Sequence, residues 1–445
     1  MLNIVIIGAG RIGAHMAELL SKAEHNVIVV DIDKKKIEDL SWVVDVATRV
    51  GSGTDWQLLD DLLELNPDWL IALTSDDENN LVACSIAKHL GYPNTIARVK
   101  DNRFLNRTRL DFARIFDVDH FVGPELLVAH DMLKYMVSEG SVVIENFANG
   151  AVQLRTILVP KSWKSQAKLK DLKFPDGVMV GLIKRGDDII FPHGDDTIKQ
   201  GDEVTFIGET DAMDHLSSFI GHENKKIESV VIVGGSLVGL NLALLLEKRN
   251  IGVRLIDKNY DRCQELAEKL NDTTIMNHDI TDLDFIRAEK IPQADLITFC
   301  TLNDETNLLG SMLLKEEGAE DVVVMLSGKS YDTLAEKAGV HQVASPRISA
   351  ANRILSQILS GRVSSLISLY DNRAEVIEVN VGVDSKVVGI PLSDLGPLLP
   401  PDFLVAMIQN RGRIMVANGS RIISPGDTVI VISGPEHISE LESIF

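Results

Sequence analysis

Ile4-Val5-Ile6-Ile7-Gly8-Ala9-Gly10-Arg11-Ile12-Gly13 is the stretch on which the reading of this chain turns. Four consecutive β-branched residues end in a glycine, and an amphipathic run follows from Ile12 to Ala23. The first pattern suits a buried strand and the second a helix. The three glycines at the turn between them have separate physical uses. Gly8 permits the tight turn, Gly10 lets the backbone approach a phosphate, and Gly13 lets the helix pack close to the strand. Val27–Val30 reads as the next strand and ends in Asp31, 18 residues beyond Gly13. A carboxylate at that place accepts from the hydroxyls of a ribose and repels a 2′-phosphate. The spacing predicts an adenine-nucleotide site, for NAD rather than NADP, at Gly8, Ala9, Gly10, Arg11, Ile12, Gly13 and Asp31. The phosphates would face the unpaired N–H groups of the helix, and Arg11 would add a charge-assisted contact.

The pattern returns. Val230-Val231-Ile232-Val233-Gly234-Gly235-Ser236-Leu237-Val238-Gly239 lies 226 residues further on, and Asp257 lies 226 beyond Asp31. Thr74 with Asp77-Glu78 and Asn80 returns as Thr301 with Asp304-Glu305 and Asn307, displaced by 227. Gly201-Asp202 returns as Gly426-Asp427, displaced by 225. Landmarks at nearly one offset mean a tandem duplication of a unit of about 220 residues, more than one ordinary domain. In the second copy Ser236 replaces the middle glycine, and its side chain crowds the phosphate position. Gly234, Gly235, Ser236, Leu237, Val238 and Asp257 are therefore a second candidate loop, for weaker or different binding, with a purely structural turn as the alternative.

Each copy changes texture part-way. Strand runs at Asn3–Ile7, Val27–Val30, Trp69–Leu73, Thr95–Val99 and His120–Val122 alternate with helical patterns, the signature of a parallel sheet. From Ser141 to Ile220 the strands are short and turn signals frequent, as in a small α+β domain. The expected fold class is α/β: two Rossmann-like, doubly wound parallel-sheet domains, each followed by a small α+β domain. Their ranges are 1–123, a crossover helix at 124–139, 140–222, then 227–345, a second crossover helix at 346–361, and 362–445. Pro124 and Pro346 open the two crossover helices, where a missing N–H costs nothing.

On the rim beyond the third strong strand, Thr74 and Ser75 are candidate ligand contacts, and Arg98 at the end of the next strand is a candidate phosphate contact. Ser75 and Glu78 also fit a capping box for the following helix. No nucleophile, acid–base pair or metal-ligand spacing is found, so no catalytic or metal residue is assigned. The net charge of −21 and pI near 4.9 weigh against nucleic acid and anionic lipid as partners. Three scattered cysteines, Cys84, Cys263 and Cys300, fit a reducing compartment. The most apolar stretch, Ser229 to Leu246, is broken by Gly234-Gly235-Ser236 and Asn241 and reads as strand, turn and helix rather than a membrane span. Nothing at the N-terminus reads as a signal peptide.

Taken in this order and repeated, the glycine loops with Asp31 and Asp257, the Gly51-x-Gly53-Thr54-Asp55 segment, Thr74 with Asp77-Glu78-x-Asn80, and Ala97-Arg98-Val99 are similar to the tandem RCK-domain family of Trk-system potassium uptake regulators. Ser52 stands where that family often has aspartate. The resemblance covers nearly the whole chain. It implies a cytoplasmic regulatory (gating) subunit, peripheral on the inner (plasma) membrane, that binds NAD or NADH, or ATP/ADP, and is not an enzyme. It implies a membrane potassium-translocating subunit of the TrkH/TrkG type as partner, and self-association as a ring-like homo-oligomer, a tetramer. Nucleotide binding between the Rossmann domains would shift their angle. The competing reading is an NAD-dependent oxidoreductase or sugar-nucleotide enzyme with duplicated Rossmann cores. A third is a free-standing cytosolic nucleotide sensor with a different transporter or a transcriptional target.

Overall fold

The computed structural model describes residues 1–106, 109–137, 141–213, 215–221, 227–328, 331, 334–335, 338, 340, 342–358, 363–370, 373–396, 399–400, 402–437, 441 and 444–445. Four sheets follow one another along the chain. The first contains β1 (Asn3–Ile7), β2 (Asn26–Asp31), β3 (Ala47–Val50), β4 (Trp69–Ala72), β5 (Asn94–Arg98) and β6 (His120–Val122). The second contains β7 (Ser141–Phe147), β8 (Val152–Leu158), β9 (Val178–Arg185), β10 (Asp188–Ile190) and β11 (Glu203–Glu209). The third contains β12 (Ser229–Val233), β13 (Gly252–Asp257), β14 (Thr273–Asn277), β15 (Leu296–Phe299), β16 (Val322–Met325) and β17 (Gln342–Ala344). The fourth contains β18 (Val363–Leu369), β19 (Ala374–Asn380), β20 (Phe403–Asn410), β21 (Arg413–Val416) and β22 (Thr428–Ser433).

Both six-stranded sheets are parallel, in the orders β3-β2-β1-β4-β5-β6 and β14-β13-β12-β15-β16-β17. Both five-stranded sheets are antiparallel. The strand order reverses between β1 and β4, and again between β12 and β15, which opens a crevice at the carboxyl ends of the strands. The sequence reading found five strands where there are six. Strand β3 lies at the sheet edge with Ala47, Arg49 and Val50 exposed, so it carries no apolar run to detect.

The chain sorts like with like. Met1–Met136 and Ile227–Ile354 form one compact unit, and Val137–Lys226 with Leu355–Phe445 form another. In the first unit the two Rossmann halves exchange helices. The helix Pro124–Val137 leaves the first sheet, and its Val128, Ala129, Met132, Leu133 and Met136 share one core with Val230, Ile232, Leu242, Leu246 and Met325 of the second half. The helix Pro346–Ile358 returns to the first half, with Arg347 Nη1 donating to His15 Nδ1 at 3.1 Å. Ser349 Oγ donates to Asp131 Oδ2 at 2.6 Å. In the second unit, Phe147, Leu154, Leu182 and Ile207 share a core with Ile367, Val376, Met407 and Ile432. A Cβ on Gly181 would lie 2.4 Å from Ile432 Cδ1, so a side chain there would have to displace Ile432 where the two small domains meet.

No helix among the described residues is long and apolar enough to cross a membrane. The apolar stretch around Gly234 is a strand, β12, followed by the helix Leu237–Glu247.

Candidate functional site

Strand β1 delivers Gly8 to the carboxyl edge of the first sheet, with φ +106 and its N–H donating to Val30 O at 2.7 Å. A Cβ on Gly8 would lie 3.0 Å from Thr74 N, and one on Gly13 only 1.9 Å from Gly8 O. Both glycines are demanded by the fold. Gly10 is different: its φ of −75 and ψ of −174 suit any residue, and a Cβ there would meet nothing within 4 Å. Gly10 is also the N-cap of the helix Arg11–Lys22, and no side chain closes that N-terminus. The helix therefore presents unpaired N–H groups and its positive dipole end to a free space.

That space is a cleft of about 470 Å³. At one end lie Asp31, Lys36 and the Gly51-Ser52-Gly53-Thr54 turn, in the middle Gly8, Gly10, Arg11 and Ile12, and beyond them Thr74, Ser75, Arg98 and Glu125. The far wall comes from the second half: Val238, Leu302, Met325, Ser327, Pro346 and Arg347. The volume is that of a small-molecule site. The carboxylate of Asp31 accepts from Ala9 N at 2.7 Å and from Asp33 N at 2.8 Å. With about four lone-pair positions, it keeps capacity for a ribose diol. Uncapped helix, ligand-side glycine and acidic strand end together fit an adenine nucleotide.

The rim is held by a buried clamp. Asn80, fully buried, accepts from Thr74 N at 3.0 Å and donates to Thr74 O at 3.2 Å and Arg98 O at 2.9 Å. Its Oδ1 lies 2.7 Å from Thr74 Oγ1. Asp77 accepts from Lys100 N at 2.9 Å and Asp101 N at 2.9 Å. The same clamp recurs as Asn307 with Thr301 and Met325, and as Asp304 with Ser327 and Gly328. The expected capping box of Ser75 and Glu78 is corrected here. The N-cap is Asp76, which accepts from Asn79 N at 2.7 Å, and Ser75 is exposed. The helix begins at Asp77, which puts Asp76 and not Ser75 at the cap position, and aspartate caps as well as serine does. Arg98, at the end of β5, is held in an ion pair. Its Nη2 donates to Glu125 Oε1 at 2.8 Å, with both side chains about five-sixths buried.

The second loop departs from the first. Gly234 and Gly239 keep their structural roles, and Asp257 accepts from Gly235 N at 2.7 Å as Asp31 does from Ala9. But Ser236 Oγ accepts from Gly239 N at 3.3 Å and caps the helix Leu237–Glu247 with the chain's own oxygen. Arg262 Nε donates to Gly235 O at 2.5 Å, laying the side chain against the loop. Leu237 is partly exposed, and Val238 lines the first-half cleft.

Lys36, Glu125, Ser327 and Arg347 were not foreseen at the cleft. The repeat of Asp77 and Asn80 signalled the clamp, but Ser327 and Arg347 reach the first-half cleft only through the pairing of halves, which leaves no linear signal. No group of three or more metal-ligating side chains occurs among the described residues. Burial pushes the Cys300 thiol up to about 12 and Cys84 higher, so neither is a thiolate at neutral pH.

A TrkA-N domain model matches residues 4–123 and again 230–346, and a TrkA-C domain model matches 155–221 and 376–445. The chain belongs to the TrkA family. Among TrkA relatives, "Trk system potassium uptake protein TrkA homolog 1" of Methanosarcina mazei is 32% identical, covering 100% of both chains. The TrkA of Halomonas elongata is 29% identical over 100% of this chain and 98% of its own. Among solved structures, the GsuK RCK domain covers 99% of this chain and 94% of its own at a TM-score of 0.64 and 19% identity. The GsuK channel bound to NAD covers 99% and 78% at a TM-score of 0.64 and 18% identity. These likenesses place the TrkA-family chain in the RCK fold, two Rossmann-like sheets each followed along the chain by an antiparallel sheet.

Proposed function

We propose that this chain is the nucleotide-binding regulatory subunit of a Trk-type potassium uptake system, binding NAD(H) or an adenine nucleotide at its first glycine loop. Gly10 carries the reading. Neither its backbone angles nor its surroundings require glycine, so the missing side chain serves a ligand. The family's printed names supply potassium uptake, and a structural relative bound to NAD agrees with the ligand class. The site residues are Gly8, Ala9, Gly10, Arg11, Ile12, Gly13 and Asp31, with Thr74, Ser75 and Arg98 on the rim. At the second loop, Gly234, Gly235, Ser236, Leu237, Val238 and Asp257, the bonds of Ser236 and Arg262 favour a structural turn over a second nucleotide.

The chain acts without catalysis. It sits at the cytoplasmic face of the membrane, in a homo-oligomer under a potassium-translocating subunit. Because both halves line the cleft, a bound nucleotide stabilises one relative setting of the halves. It shifts the regulator only by its difference in affinity between settings.

The test is thermal unfolding of the purified chain with NAD, NADH, ATP, ADP and NADP. A ligand at about 100-fold excess over its Kd adds about 2.7 kcal/mol of stability. Gly10→Glu is expected to unfold like the parent without ligand and to lose this gain. A parent that responds to none of these nucleotides, or a Gly10→Glu chain that responds like the parent, would overturn the reading.

A further inference from the structure

The two small domains share a surface frame but not its charge. In the first, Leu169 N donates to Asp196 O at 2.8 Å and Lys170 N to Gly194 O at 3.0 Å. In the second, Leu392 N donates to Arg421 O at 2.8 Å and Ser393 N to Gly419 O at 2.9 Å. Lys199 N donates to Asp202 Oδ2 as Ser424 N does to Asp427 Oδ2. One turn of 3-10 helix, Leu169–Asp171 or Leu392–Asp394, completes each frame. Lys168, Lys170 and Lys199 therefore have Pro391, Ser393 and Ser424 as counterparts, and the frame itself demands no lysine. Residues 161–173 and 193–200 hold six lysines against three aspartates. The matching residues 384–396 and 418–425 hold two cations and two carboxylates.

The six are Lys161, Lys164, Lys168, Lys170, Lys173 and Lys199, all exposed. Lys168 and Lys170 share one carboxylate oxygen of Asp195, at 2.8 and 2.7 Å. Among the described residues the other four form no ion pair. Their backbone is tied down. Gln200 Nε2 donates to Lys161 O at 2.9 Å and to Trp163 O at 2.7 Å. Trp163 Nε1 donates to Ile198 O at 3.2 Å, and its ring lies 6.1 Å from that of Phe219. Trp163 thus anchors the segment instead of offering a face on which a base could stack. Neither stretch contains an arginine. Lysine is a hydrated point charge without the guanidinium fork, so the face suits spread anionic charge better than one phosphate held in fixed geometry. The net charge of the whole chain, −21, opposes anionic partners. At physiological salt it is screened beyond about 8 Å, so a partner that is itself a surface and meets this face alone feels the lysines. The cytoplasmic leaflet of a membrane is such a surface.

We infer that the lysine-rich face of the first small domain, residues 161–173 and 193–200, is a docking surface for anionic lipid headgroups, engaged without insertion into the bilayer. It does not depend on the first glycine loop, and its failure would leave the nucleotide site standing.

The experiment is co-sedimentation of the purified full chain with phosphatidylcholine vesicles, with and without phosphatidylglycerol as about a third of the lipid. Binding is expected only to the anionic vesicles, and its loss as salt rises from about 0.1 M to about 0.5 M. Lys161→Gln/Lys164→Gln/Lys173→Gln removes three exposed charges that hold no partner, and is expected to keep the parent's unfolding midpoint. It is expected to weaken vesicle binding about a hundredfold, at roughly fivefold per lysine. Lys258→Gln/Lys269→Gln/Lys290→Gln removes the same charge from exposed positions elsewhere and is expected to bind as the parent does. Inorganic phosphate added at constant ionic strength is expected to leave the chain on the vesicles. No preference for the anionic vesicles, or equal weakening in both triple variants, would overturn the inference. So would release by dilute phosphate, which would mean a discrete anion site. A tighter hold on poly-glutamate than on the vesicles would assign the face to an acidic protein segment and overturn it as well.

Discussion

Glu375 on β19 is 1% exposed, and its Oε2 has no hydrogen-bond partner. Burial pushes its carboxyl up to about 8, against a smaller opposing effect of the Ser368 hydrogen bond. The folded chain therefore holds a proton that the unfolded chain releases near pH 4.5. The stability this contributes is whole below that pH and is lost as pH rises toward about 8. The register gives a control. Glu375 opposes Ser368 as Gln153 opposes Asn146 in the first small domain, so a glutamine is accommodated at this place. Glu375→Gln is expected to flatten the decline of the urea midpoint between pH 5 and 8. An equal decline in parent and variant would disprove the assignment. Such a residue is invisible in a sequence, where a glutamate in an alternating strand reads as solvent-facing. Gly10 and Asp31 were legible because their spacing is fixed by the backbone path from β1 to β2. Arg347 was not, because it meets the cleft across 332 residues of chain from His15.

At the scale of elements, the helices Arg11–Lys22 and Leu237–Glu247 are one design with two endings. Their N-cap residues have nearly the same backbone, φ −75 and ψ −174 at Gly10, φ −63 and ψ 177 at Ser236. Gly10→Ser should therefore cap its helix as Ser236 does, adding a few tenths of a kcal/mol to ligand-free stability. The same hydroxyl occupies the phosphate position, so nucleotide-dependent stabilisation should fall. Paired melting curves with and without NADH check both signs, and a gain in both would mean the phosphates bind elsewhere. Strand and helix positions were largely readable from periodicity. The helix start at Asp77 and the edge strand β3 were not, because competing caps differ by one residue and an exposed edge strand has no apolar face.

At the scale of the whole molecule, the duplication was legible as an offset, but the sorting of like domains together was not. It depends on the helix Pro124–Val137, whose buried face is completed by the other half. A fragment of residues 1–222 would expose Val128, Met132, Leu133 and Met136. It is expected to pair with a second copy that supplies the missing surface, and size-exclusion chromatography with light scattering would show a dimer. A well-behaved monomer would mean the helix folds back on its own half.

The serine that closes the second glycine loop has a consequence for how sharply a regulator of this kind can respond. In a symmetric assembly the steepness of a ligand response is bounded by the number of binding sites. Two open loops per chain would set that bound at twice the number of chains. On the reading that the Ser236 hydroxyl takes the phosphate's place at the second loop, the bound is the number of chains itself. Any steeper dependence of transport on nucleotide would have to arise outside the glycine loops.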